Sequence, residues 1–82
     1  MLDVERKKIF LSKISKIKDN SVKDQIKKQI RKIIENPEIG KPMRYGRKST
    51  REVYIKPFRL SYVYLPHEDK IILLDLYHKK KQ

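Results

Sequence analysis

Arg59, His78 and Lys79 are the residues whose types could do chemistry together. An Arg guanidinium is a planar fork that matches two phosphate oxygens. A His titrates near neutrality and can give or take a proton. The set suits cleavage of an RNA backbone without a metal. That reaction needs a base for the 2′-hydroxyl proton, donors for the charge building on phosphorus, and an acid for the leaving 5′-oxygen. Strict alternation along strands would put Glu52 and Tyr54 on the same sheet face as Arg59; His78 ends the third strand and Lys79 follows it, so that one face could gather all five. Arg44, Arg47, Lys48 and Arg51 would border that face and hold flanking RNA, and Tyr54 offers a ring for base stacking. Plainer roles compete: Arg59 as a solvated strand residue, His78 as a surface residue, Lys79-Lys80-Lys81 as a solvated tail. His67, in a turn beside Glu68 and Asp69, reads as surface. Asp75 interrupts an apolar strand and invites a cationic partner.

These side chains need a sheet to carry them. Residues 51–56 alternate, with Val53 and Ile55 on one side and Glu52 and Tyr54 on the other. Residues 58–65 alternate again after Pro57. Residues 70–78 form a third strand whose apolar run, Ile71-Ile72-Leu73-Leu74, suits a central position. Before the strands come two helices. Phe10, Ile14 and Ile17 mark the first, over residues 4–18. Val22, Ile26, Ile30, Ile33 and Ile34 mark the second, with Ser21 as its N-cap and Asp24 completing a capping box. Asn36-Pro37 ends it. Residues 37–50, punctuated by Pro37, Gly40, Pro42 and Gly46, read as a basic loop. The expected fold is α+β, with two N-terminal helices packed on one face of a small twisted antiparallel sheet and the other face open.

The bulk numbers bound the rest. At 82 residues the chain makes a single domain, 1–82, with one modest core. Twenty-two Lys and Arg against ten Asp and Glu give a net charge of +12, which points to a polyanion, RNA above all. The chain has no Cys, which removes disulfides, thiolate metal sites and Cys nucleophiles. There is no glycine-rich phosphate loop, no His-Glu-x-x-His and no EF-hand pattern, and the acids are too scattered for a two-metal nuclease. No metal and no cofactor are expected. Without a signal sequence or a membrane-length apolar run, a cytoplasmic location is expected.

Several stretches, taken in order, resemble the RelE/ParE superfamily of toxins from toxin–antitoxin modules. Ile34-Glu35-Asn36-Pro37-Glu38-Ile39-Gly40-Lys41-Pro42 is similar to its ENPxxGKP segment. Arg51-Glu52-Val53-Tyr54-Ile55 is similar to its RELRV strand, and Phe58-Arg59-Leu60-Ser61-Tyr62 to its YRLxY strand. Leu76-Tyr77-His78-Lys79-Lys80 sits where the family has xxHRK. The resemblance implies a RelE-like toxin domain, an acidic RelB-like antitoxin as partner, and one of two activities. RelE-like members cut mRNA on the ribosome without metal, whereas ParE-like members inhibit DNA gyrase and are not nucleases. It implies that Arg59 contacts the scissile phosphate, that Lys79 assists, and that His78 matches a proton-transfer His of the YoeB branch. Three departures stand out. At most residues 1–5 remain for the strand that usually leads the family. The paired lysines of one branch are Glu52 and Tyr54 here, and a terminal Tyr found in many members has no counterpart. The leading expectation is an mRNA endonuclease toxin. A gyrase inhibitor and a non-catalytic nucleic-acid-binding module are the alternatives.

Overall fold

The computed structural model describes residues 2–42 and 50–78. The order is β1 (Asp3–Arg6), α1 (Lys8–Ser15), α2 (Asn20–Glu35), β2 (Lys41–Pro42), β3 (Thr50–Ile55), β4 (Phe58–Leu65), a 3₁₀ turn (Pro66–Glu68) and β5 (Lys70–His78). The strands form one sheet in the order β1-β5-β4-β3-β2.

Two helices and an antiparallel β3-β4-β5 meander match the expectation, but the sheet is larger and mixed. β1 pairs in parallel with β5, Val4 opposite Ile71, while β2 pairs with Arg51 and Glu52 of β3. The chain's first residues therefore extend the sheet instead of starting a long helix, so α1 begins at Lys8 and not near residue 4. Leu2 and Val4 pack against the core. Pairing with β5 supplies Val4 with backbone partners and sets it beside Ile71 of the core.

α2 folds because its apolar residues recur at helical spacing and find a sheet to cover them. Ile26 and Ile33 are buried with Ile55, Leu60, Tyr62, Ile71, Leu73 and Leu76, and Val22, Ile30 and Val53 pack against that cluster. Phe10 brings α1 into the same core. The cap differs from the expected one. Asp19, not Ser21, is the N-cap, and its carboxylate accepts from the Ser21 N–H at 2.8 Å. An anion at that position also suits the positive end of the helix.

The connection from α2 into β2 is held by two strand residues. The Tyr62 hydroxyl donates to the Pro37 carbonyl at 2.8 Å and accepts from the Gly40 N–H at 2.9 Å. Arg51 donates to the carbonyls of Glu38 and Gly40. A Cβ on Gly40 would lie 2.7 Å from the Tyr62 hydroxyl and 2.9 Å from the Glu52 carbonyl oxygen, so only glycine fits there.

Candidate active site

Cross-strand partners share a face, so the register assigns each side chain. Tyr54, Arg59 and Tyr77 form one row on the face away from the helices, and Glu52, Ser61 and Asp75 form the next. Val53, Leu60 and Leu76, and then Ile55, Phe58 and His78, line the helix-facing side.

The centre of the outer face is a three-residue cluster. Arg59 Nη1 lies 2.7 Å from Glu52 Oε1, and the Tyr77 hydroxyl donates to Glu52 Oε2 at 2.5 Å. The Glu52 side chain is 17% exposed and that of Arg59 27%, so the pair is partly desolvated yet reachable. β3, β4 and β5 each contribute one of the three, and their hydrogen-bonded register fixes the spacing. Beside them opens a cleft of about 350 Å³ lined by Gln29, Ile39, Lys41, Glu52, Val53, Tyr54 and Arg59. β2 pairs with Arg51 and Glu52, so among the described residues no strand covers the edge of β3 from Val53 onward, and the cleft is lined by residues on both sides of that edge. Tyr54 stands exposed at its rim.

The expected site is assembled in part. Arg59, Glu52 and Tyr54 share a face as alternation requires. His78 does not join them: it lies opposite Phe58, their rings meeting edge to face at a centroid distance of 5.8 Å. The cause is a bulge in β5. Tyr62 pairs with Leu73 and Ser61 with Asp75, which leaves Leu74 as an extra residue. One inserted residue exchanges the faces of everything after it. Tyr77 thus takes the outward place that strict alternation gives to His78. Asp75 was the available signal. In an unbroken alternation from Ile71 and Leu73 it would point into the core, and the bulge removes it. Its carboxylate instead meets Lys13 Nζ at 3.1 Å.

Arg51 also differs from expectation. It shares the helix-facing side with Tyr62 and binds backbone carbonyls, so its place in the fold is structural. Arg44, Arg47, Lys48 and Lys79 lie outside the described residues. Among the described residues no group of three or more His, Asp or Glu could hold a metal ion, and no helix is long and apolar enough to cross a membrane.

A mixed sheet with two helices on one face, the fold expected of the toxins to which the motifs pointed, carries the Arg–Glu–Tyr cluster on its other face. The sequence model of the family described as "ParE toxin of type II toxin-antitoxin system, parDE" matches residues 4–82, and the chain belongs to that family, within the RelE/ParE superfamily of type II toxins. Among solved structures, the toxin of the intact Escherichia coli RelBE toxin–antitoxin complex superposes with a TM-score of 0.81 at 16% identity, covering 95% of this chain and 96% of that one. RelBE2 of Mycobacterium tuberculosis gives 0.79 at 16% identity, covering 95% and 91%. A conserved hypothetical protein of Helicobacter pylori, HP0894, gives 0.64 at 25% identity, covering 98% and 97%. No curated protein sequence matches the chain.

Proposed function

We propose that this toxin is a ribosome-dependent endoribonuclease that cuts mRNA without a metal. The observation that carries the reading is the Arg59–Glu52–Tyr77 cluster at the mouth of the cleft. Arg59 is the phosphate clamp, its fork taking two non-bridging oxygens. Glu52, already fixed by two donors, takes the proton of the 2′-hydroxyl. The 2′-oxygen then bonds to phosphorus, the bond to the 5′-oxygen breaks, and the products are a 2′,3′-cyclic phosphate and a 5′-hydroxyl. The leaving oxygen takes its proton from the end of β5, where Tyr77 faces the cluster and His78 and Lys79 follow. Tyr54 stacks on a neighbouring base, and Arg44, Arg47 and Lys48 hold flanking RNA.

Primer extension on mRNA translated by purified ribosomes tests this. Discrete cuts are expected with the wild-type chain. Arg59→Ala should lose ~10²–10³-fold, the cost of removing one preorganised charge interaction. Glu52→Gln should lose ~10²–10⁴-fold, as for a proton-transfer group. Tyr77→Phe set against His78→Gln identifies the acid. Wild-type cleavage by both Arg59→Ala and Glu52→Gln would end this site assignment.

The family description favours a second reading, inhibition of DNA gyrase. A supercoiling assay separates the two: loss of gyrase activity with mRNA left whole would select it. Under either reading the partner is an acidic, RelB-like antitoxin. The +12 charge calls for an acidic neutraliser, and the E. coli RelBE structure is of a toxin–antitoxin complex. Co-purification with the product of an adjacent small gene is the expected result.

A further inference from the structure

We infer that the outer face of α2 is a second RNA-backbone-binding surface, continuous with the cleft that holds Arg59. Ile26 and Ile33 turn one side of α2 into the core. At 100° per residue, Lys27, Lys28, Arg31 and Lys32 fall on the arc facing away from them, and Lys23, half-buried, borders the apolar side between Ile30 and Ile34. Lys27, Lys28, Arg31 and Lys32 are exposed. Among the described residues none of the five forms an ion pair, whereas Lys7, Lys13, Arg59 and Lys70 each meet a carboxylate. Lys23–Lys27, Lys27–Arg31 and Lys28–Lys32 are like charges at i,i+4, which weaken a helix. Asp24, four residues before Lys28, and Glu35, four after Arg31, offset part of that repulsion, but neither closes an ion pair with the stripe among the described residues. A stripe that works against its own helix is explained if it has an anionic partner.

The position of the stripe favours RNA over a membrane or an acidic protein. The apolar side of α2 is committed to the core, which leaves no apolar face to lie in a bilayer. Gln29, on the same helix, lines the cleft together with Lys41 and Arg59. On the helical wheel Gln29 lies between the core stripe and Lys32, with Lys28 next. A strand clamped at Arg59 therefore has a path past Lys41 and Gln29 onto Lys28 and Lys32. The direction of that path rests on the proposed RNA site; the phosphate affinity of α2 does not.

Fluorescence anisotropy with a short labelled single-stranded RNA, an RNA duplex and anionic-lipid vesicles tests the inference on the full chain. The variant Lys27→Gln/Lys28→Gln/Arg31→Gln/Lys32→Gln keeps good helix formers at exposed sites, and circular dichroism checks its fold. It should bind RNA at least about tenfold more weakly. The slope of log K against log salt should shrink by roughly two to four, at about 0.7–0.9 for each phosphate no longer neutralised. Lys28→Gln/Lys32→Gln, a milder change, should reduce the slope by about half as much. Arg59→Ala should shrink it by about one at most. An unchanged slope and affinity in both α2 variants would overturn the inference, whatever Arg59→Ala does to cleavage. Wild-type binding to vesicles in preference to RNA would overturn it too. Weakened α2 variants alongside an Arg59→Ala chain that still cuts mRNA would uphold the α2 surface and remove the proposed site instead.

Discussion

Tyr62 is a strand residue whose hydroxyl does the work of a loop anchor. It is fully buried, and both of its hydrogen bonds go to backbone groups between Pro37 and Gly40. Tyr62→Phe strands those groups and should cost about 1–3 kcal/mol, read as a lower urea midpoint. Burial pushes the phenol above its ordinary pKa, against smaller opposing effects of the Gly40 N–H and the Arg51 charge. The folded phenol thus keeps its proton where the unfolded one has lost it. That stability is fully present below the ordinary phenol pKa of ~10 and is lost as pH rises through the folded value. The urea midpoint of the wild type should accordingly fall more steeply above pH ~10 than that of Tyr62→Phe. At this scale the sequence was legible where alternation is unbroken: Arg59, Glu52 and Tyr54 share a face as expected. Tyr77 was missed and His78 misplaced because one bulge reverses the count, and period two carries no mark of an inserted residue except the polar Asp75.

Among the elements, α2 was the most legible, since five apolar residues over four turns leave only one face to bury. Ile33, completely buried, should cost ~2–5 kcal/mol when replaced by Ala. Asp19→Ala should cost ~0.5–2 kcal/mol by removing the cap, while Ser21→Ala, the cap suggested by the sequence, should be nearly silent. Denaturant melts of the three variants rank these expectations, and a larger loss for Ser21→Ala than for Asp19→Ala would contradict the capping geometry. β1 and β2 were not legible because their pairing is tertiary. Four residues at one end and two in a loop are too short to show a period, and what makes β1 a strand is β5, far along the chain.

For the whole molecule the dominant number is the charge of +12. Within principal extents of 36 × 30 × 21 Å, most cations lie inside one another's unscreened range at low salt. Raising salt from ~0.01 to ~0.1 M shortens the Debye length from ~30 to ~10 Å and relieves that repulsion. The few exposed ion pairs, such as Lys7–Glu5, lose little by comparison. Tm should therefore rise over that range. A fall would mean that the ion pairs outweigh the self-repulsion.

The parallel pairing of β1 with β5 also sets an order of events during synthesis. The earliest strand to be made, Asp3–Arg6, has its place beside the latest, Lys70–His78, and nowhere else in the sheet. β5 lies inside the sheet, between β1 and β4, and supplies Tyr77 to the cluster and Asp75 to Lys13. Without β5 the chain has a helix pair, a β3–β4 hairpin and an unpaired leading strand available to it, but not the complete outer face. Joining two strands across so long a stretch is among the slower steps available to a small protein. The topology thus acts as a delay: the cluster is assembled only when the strand that closes the sheet takes its place beside β1 and β4.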